Sequence, residues 1–244
     1  MKLLALESSG LVASAAIVTE RAVICEATMN YKKTHSQTLL PMVDYIVQMT
    51  EQDLNEIDAI ATASGPGSFT GLRIGSATAK GLGLALNKPL VPVPTLEGLA
   101  CNNYGSENLI CPMMDARRSQ VYTGIYTFED GHFEVLHEQT ACPVEDILAV
   151  CRHLALEKGK KITFLGDGVP VYHEIILNSM KDLDHRYFFA PAHLNYQRAA
   201  AIGVRGLELY AAGLTESAAA HTPVYLRKSQ AERELLKKRG QQIV

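Results

Sequence analysis

The same succession of predicted secondary structure occurs twice along this chain of 244 residues. Apolar runs bounded by turn residues predict three strands, then a helix, a strand, a helix and a strand, at residues 2–7, 13–18, 23–27, 36–50, 58–63, 70–86 and 90–93. The second half repeats three strands, a helix and a strand, and then adds two helices, at residues 109–114, 120–127, 133–137, 143–157, 162–165, 172–180 and 195–212. This order predicts an α/β fold of two similar lobes.

A polar, turn-forming stretch separates the two halves. Residues 102–106 read Asn-Asn-Tyr-Gly-Ser, a composition typical of a domain boundary. We therefore expect an N-terminal lobe at residues 1–104, a C-terminal lobe at 105–226 and a basic tail at 227–244. Residues 227–239 hold six basic and two acidic residues, which indicates a solvated helix or a contact with RNA phosphates or an acidic partner.

The composition argues against several classes of protein. The formal charge of −3 and a pI near 6.2 differ from the strongly basic balance of a stand-alone nucleic-acid-binding protein. Five scattered cysteines, with no Cys-x-x-Cys, indicate neither a disulfide framework nor a zinc site. The longest stretch without Asp, Glu, Lys or Arg, residues 59–72, is shorter than the ~20 residues that span a bilayer. We expect a cytoplasmic protein without membrane contact.

Two helices of the first lobe have surfaces that one sheet would not cover. Apolar residues between positions 36 and 50 occupy roughly 220° of a helical wheel. The next helix has a glycine or alanine at every fourth position from 71 to 83, where another backbone can approach closely. Either the chain itself or a partner covers these surfaces. For a partner, the predicted interface residues are Leu39, Leu40, Met42, Val43, Ile46, Val47, Gly71, Arg73, Gly75, Ser76, Ala79 and Gly83.

Two loops that follow strands, Gly65–Gly71 and Gly166–Gly168, are candidates for contact with a nucleotide, and each could instead be a structural turn. The Gly65–Gly71 loop lacks the Gly-Lys-Ser/Thr of a Walker loop, and Pro66 removes one backbone donor, so a structural turn is the alternative. The candidate nucleotide-binding residues are Glu7, Ser8, Ser9, Gly166, Asp167 and Gly168. No His-x-x-x-His and no Gly-x-Ser-x-Gly occurs, so the sequence predicts no catalytic residue and no metal site.

Six segments together resemble the TsaB (YeaZ) family of bacterial threonylcarbamoyladenosine biosynthesis proteins. They are Leu-Ala-Leu-Glu-Ser-Ser at 4–9, His-Ser at 35–36, the block from Ser64 to Gly75, Pro-Thr-Leu-Glu-Gly-Leu at 94–99, Asp-Ala-Arg at 115–117 and Pro-Val-Tyr-Leu-Arg at 223–227. The resemblance spans nearly the whole chain, and the Gly-Pro-Gly-Ser-Phe-Thr-Gly-Leu-Arg-x-Gly block is highly specific. It implies the actin-like ATPase fold, with two ribonuclease-H-like lobes.

The resemblance also implies a role without catalysis. Proteins of this family accompany TsaD, the catalytic subunit that threonylcarbamoylates the adenosine next to the anticodon of tRNA, and the ATPase TsaE. ATP and metal are then expected in those partner subunits and not in this chain. Where TsaD has His-Met-Glu-Gly-His, this chain has Thr95 and Leu99 in place of the two metal-binding histidines. Glu7 stands where the family commonly has Asp, which puts a nucleotide or metal role at this position in question.

In the family, the first two helices dock on the catalytic subunit, and the same face can pair two copies of the chain. The resemblance therefore implies a TsaD-like partner, a TsaE-like ATPase, a homodimer in isolation and tRNA held indirectly through the complex. Two alternatives remain open. One is an ATP-dependent kinase or transferase that acts alone, and the other is a peptidase.

Overall fold

The protein forms two five-stranded sheets. The structure, a computed structural model, describes residues 1–183 and 185–227. The first sheet contains β1 (Lys2–Glu7), β2 (Ala13–Thr19), β3 (Val23–Met29), β4 (Ala59–Gly65) and β5 (Leu90–Pro94). The second contains β6 (Leu109–Asp115), β7 (Gln120–Glu129), β8 (His132–Pro143), β9 (Ile162–Leu165) and β10 (Tyr187–Phe189).

The two sheets have the same topology. Their strand orders are β3-β2-β1-β4-β5 and β8-β7-β6-β9-β10. In each sheet the first three strands are antiparallel, and the other two continue parallel to the central strand. This repeat confirms the predicted α/β class and its two lobes of ribonuclease-H-like topology.

Helices connect and cover the sheets. They are α1 (His35–Thr50), α2 (Phe69–Leu86), α3 (Thr95–Ala100), α4 (Val144–Lys158), α5 (Gly168–Val171), α6 (His173–Met180) and α7 (Ala199–Ala211). The sequence patterns described above do not predict α3, α5 or β10. Pro41 lies in the second turn of α1, which is deeper in the helix than expected, and its side chain is exposed.

Helices pack on both faces of the first sheet. Leu4, Leu6 and Ile17 point towards α1 and α2, whereas the alternate residues Leu3 and Ala5 point towards α7. Helix α7 lies in the stretch that the sequence analysis assigned to the C-terminal lobe, yet it completes the core of the N-terminal lobe. Its glycines allow this contact because a Cβ atom at Gly203 would lie 2.5 Å from Val18.

Helix α3 lies between the lobes. Its residues Leu96 and Leu99 pack with Ile110, Met114 and Tyr126 of the second sheet in one buried cluster. The lobes therefore share apolar packing and are not joined by a bare linker.

Two further predictions concern the basic tail and contact with a membrane. Of the predicted basic tail, Arg227 is described and residues 228–244 lie outside the described residues. Within the described part of the chain, no helix has both the length and the apolar character needed to cross a membrane.

Candidate functional site

The ends of several strands meet in a cleft between the lobes. The cleft has a volume of about 320 Å³ and is lined, among other residues, by Ser9, Gly10, Ser68, Asp115, Arg117 and Asp167. Ser9 follows β1, Asp115 ends β6 and Asp167 follows β9, so the repeated topology brings corresponding loops of the two lobes together. Of the candidate nucleotide-binding residues, Ser9 and Asp167 line this space.

Glu7 lies under the cleft and is fully buried. Its Oε1 accepts hydrogen bonds from the Ser9 backbone N–H at 2.5 Å and from Ser9 Oγ at 2.6 Å. Its Oε2 has no hydrogen-bonding partner. Burial raises the pKa of Glu7 to about 7, although the hydrogen bonds from Ser9 oppose this increase. By accepting these two hydrogen bonds from Ser9, the buried Glu7 carboxyl group positions the Ser8–Ser9 loop.

The first glycine loop holds that same segment. A Cβ atom at Gly67 would clash with the carbonyl oxygen of Ser9, and one at Gly71 would clash with that of Ser8. The Ser68 N–H donates to the Ser9 carbonyl at 2.6 Å, and Ser8 Oγ donates to the Gly71 carbonyl at 2.9 Å. These glycines let two backbones touch, which supports the structural alternative for the loop.

The second candidate loop follows the same principle. Gly166 has a φ of 107°, and a Cβ atom there would clash with the Met113 carbonyl. Burial raises the pKa of the neighbouring Asp167 to about 6, and Asp167 Oδ1 is buried without a partner. Asp115 Oδ1, nearby, accepts hydrogen bonds from the Arg117 N–H and from the Tyr172 hydroxyl. The negative charges of two carboxylates in one cleft repel the phosphates of a nucleotide unless a cation lies between them.

Thr95 and Leu99, which the resemblance predicts to replace two metal-binding histidines, have structural contacts in this chain. Thr95 is fully buried, and its Oγ1 accepts a hydrogen bond from the Gly65 N–H at 3.1 Å. Leu99 is buried in the cluster between the lobes. Within residues 1–183 and 185–227, no group of three His, Cys, Asp or Glu side chains is arranged to hold a metal ion.

Gln197 is a feature of the cleft region that the sequence analysis missed. Its side chain is buried against Gly10, where a Cβ atom would lie 2.8 Å from Gln197 Nε2. Neither end of its amide has a hydrogen-bonding partner. Residue type alone does not identify this position, because glutamine is common in exposed loops.

Most of the predicted interface residues face the core of this chain. Those that are buried within this chain are Leu39, Met42, Val43, Ile46, Gly71, Gly75, Ser76, Ala79 and Gly83, and their part in an interface stays a prediction. Leu39 and Ile46 contact the first sheet, and a Cβ atom at Gly75 would clash with Ser8 Oγ. Packing within the lobe therefore explains the small-residue stripe and about half of the apolar arc. Leu40 and Arg73 are exposed, and Val47 is half-buried.

A second set of small residues forms the outer face of α2. Ala77, Gly81 and Ala85 recur at every fourth position, are exposed, and lie beside the exposed Leu84. A Cβ atom at Gly81 would have no neighbour within 4 Å. We use the name helix face for one part of the apolar surface of the first two helices, which consists of the exposed Leu40, Ala77, Gly81, Leu84 and Ala85 and the half-buried Val47. Tyr45 and Met49 of α1 are exposed as well.

Comparisons with known proteins agree with this architecture. A family model described as "TsaD: tRNA N6-adenosine threonylcarbamoyltransferase" matches residues 22–235. A Bacillus subtilis relative named tRNA threonylcarbamoyladenosine biosynthesis protein TsaB is 33% identical over 234 residues, which cover 95% of this chain and 96% of the relative. The chain belongs to the TsaB family. An Escherichia coli protein of the same name is 36% identical over 101 residues, 41% of this chain and 44% of that protein.

Solved structures give the same result. YeaZ from Pseudomonas aeruginosa matches with a TM-score of 0.76 at 29% identity, over 92% of this chain and 99% of that chain.

A relative from Erythrobacter litoralis named tRNA N6-adenosine threonylcarbamoyltransferase is 31% identical over 141 residues, 55% of this chain and 37% of that protein. Together with the family model, this match indicates that the chain and the transferases named TsaD share ancestry.

Proposed function

We propose that this chain is a non-catalytic subunit that docks on a TsaD-like catalytic subunit and activates the threonylcarbamoylation of tRNA, together with a TsaE-like ATPase. The helix face is the proposed docking surface. In isolation, the same face pairs two copies of the chain. The tRNA is the substrate of the assembled complex, and ATP and metal act in the partner subunits.

The helix face is the observation that carries this proposal. Its exposed positions on α2 are small, so a partner helix can approach the backbone closely. Leu40 is 54% exposed and Leu84 is 64% exposed, which leaves large apolar side chains in water unless a partner covers them. The absence of catalysis is supported by Thr95 and Leu99, whose side chains have hydrogen-bonding and packing roles in place of metal coordination.

The test is the replacement of residues on the helix face. Leu40→Arg and Gly81→Arg place a long cation on the face without disturbing the core, because both positions are open. We expect each variant to remain folded, to lose co-elution with the catalytic subunit and to lose the tRNA modification that depends on this chain. The isolated variants should also elute as monomers.

Leu156→Arg is the matched control. Leu156 lies on α4 of the second lobe and is 54% exposed, like Leu40. This variant should co-elute and support modification like the parent. Unchanged co-elution of both helix-face variants would refute docking on this face, and equal modification without any form of this chain would refute the activating role.

A further inference from the structure

Arginine and aromatic side chains lie at the start of α2 in the first lobe, in the loop after β6 in the second lobe, and in the segment 225–227 that reaches this loop; of them, Arg117 lines the cleft. We call this set the arginine ridge; it consists of Phe69, Arg73, Arg117, Arg118, Tyr225 and Arg227. Contacts join Arg73 to Phe69 and Phe69 to Tyr225, and Arg227 donates to the carbonyl of Ala116, the residue before Arg117.

A stack of side chains forms the first-lobe end of the ridge. The guanidinium carbon of Arg73 lies 4.0 Å from the centre of the Phe69 ring, and the ring of Tyr225 lies 4.6 Å from Phe69 on centres. Tyr225 is 39% exposed. A cation–π contact orients the guanidinium without neutralising its charge. This end of the ridge therefore offers both a flat aromatic surface and a positive charge.

An unusual loop forms the second-lobe end. Arg117, Arg118 and Ser119 have φ values of 64°, 59° and 56°, in the left-handed region that residues with a Cβ seldom adopt. The Arg227 guanidinium donates to the Ala116 carbonyl at the base of this loop. Arg117 and Arg118 are both exposed, and the Arg117 side chain is 88% exposed. The loop thus holds two guanidinium groups in solvent beside a third.

These charges are largely unpaired. Within the described part of the chain, no salt bridge involves Arg73, Arg118 or Arg227, and Arg117 reaches Asp115 only at 3.7 Å. Three arginines without a salt bridge, and a fourth, Arg117, that pairs with Asp115, contrast with the chain's net charge of −3. A local positive surface of this kind attracts a polyanion although the whole molecule is acidic.

We propose that the arginine ridge binds RNA, so that this chain contacts the tRNA directly. Guanidinium groups match the geometry of phosphates, and exposed rings stack on unpaired bases. The ridge has members in both lobes, which suits a polynucleotide better than a mononucleotide confined to the cleft. The identity of the RNA as tRNA rests on the proposed function, whereas binding of RNA by the ridge does not.

The experiment is a titration of unmodified tRNA transcript with the complex of the full chain and its catalytic subunit, followed by fluorescence anisotropy at several salt concentrations. In the double variant Arg117→Glu with Arg118→Glu, we expect Kd to rise at least tenfold. The slope of log K against log salt should decrease by about 1.4 if each arginine contacts one phosphate of a single strand. Co-elution with the catalytic subunit should remain.

A charge-matched control separates the ridge from net charge. Arg21→Glu with Arg186→Glu makes the same charge change at exposed positions outside the ridge. Equal weakening of tRNA binding by the two double variants would overturn the proposal. So would a ridge variant that loses the catalytic subunit but binds tRNA as before.

Tyr225→Ala tests the aromatic part. Stacking is not an ionic contact, so this variant should weaken binding severalfold while the salt slope stays unchanged. No change in Kd would overturn the stacking role. If the parent forms no complex with the catalytic subunit, the proposed function fails, and the same titration of the chain alone still decides whether the ridge binds RNA.

Discussion

Glu7 shows how one buried residue combines a structural role with an energetic cost. Its Oε1 organises Ser9, but its Oε2 has no partner, and burial raises its pKa from the usual 4.5 to about 7. The difference corresponds to ~3 kcal/mol of unfavourable ionisation in the folded state.

The pH dependence of stability follows from this pKa. Below about pH 4.5, Glu7 is protonated in both states and contributes no pH dependence. Between pH 4.5 and 7, the unfolded state ionises first, so stability decreases as the pH rises, and above pH 7 the loss is constant. Glu7→Gln does not ionise and keeps an oxygen acceptor for Ser9. Its free energy of unfolding, minus that of the parent, should therefore increase by ~3 kcal/mol over this range.

Urea unfolding of both proteins at pH 4, 6 and 8 checks this expectation. All other titrating groups are common to the two proteins and largely cancel in the difference. If the difference between the two free energies of unfolding does not change with pH, burial does not disfavour the ionised form of Glu7.

At the scale of elements, α2 presents two faces of small residues with opposite roles. The inner face, with Gly71 and Gly75, admits the Ser8–Ser9 backbone. The outer face, with Gly81, has open space around it. The same residue type therefore serves internal packing on one face and is available to a partner on the other.

Replacing either Gly71 or Gly81 of α2 by alanine distinguishes these two faces. Gly71→Ala places a methyl group against a backbone carbonyl and should lower the free energy of unfolding by ~1–3 kcal/mol, the usual effect of overpacking. Gly81→Ala meets no neighbour and should raise it by up to ~1 kcal/mol through helix propensity. Urea unfolding at one pH measures both, and equal effects would contradict the assignment of the faces.

The elements also show what the sequence can and cannot predict. Strands β1 and β9 have the predicted bounds because their apolar runs end at turn-forming residues. Helix α3 was missed because five of its six residues are buried, so its sequence carries no amphipathic pattern. The wide apolar arc of α1 does not show which of its side chains are buried: Leu39 and Ile46 are, whereas Met49 is exposed. Ser8, which occupies the inner face of α2, is 63 residues away from Gly71, a contact that no local pattern reveals.

At the scale of the whole molecule, the end of the described chain completes the first lobe. Helix α7 covers one face of the first sheet, and Leu90 pairs with Glu216 in an isolated bridge. The Val224 N–H donates to the Ser64 carbonyl at 2.7 Å, after which Arg227 reaches Ala116 in the second lobe. The two lobes are thus linked by α7, by α3 and by the segment that ends at Arg227.

This linkage predicts that residues 1–104 do not fold alone, although they contain every strand of the first sheet. Without α7, the face of the first sheet that includes Leu3, Ala5 and Val91 is exposed to water. The fragment then lacks the burial of apolar surface that is the main favourable contribution to the folding free energy of a lobe of this size. We expect the fragment to show no cooperative thermal transition and to aggregate. In the full chain, hydrogen exchange should give similar free energies of opening for amides of β1 and α7, because the core on this face of the first sheet needs both elements. A monomeric fragment with a cooperative transition would instead establish the first lobe as an independent domain.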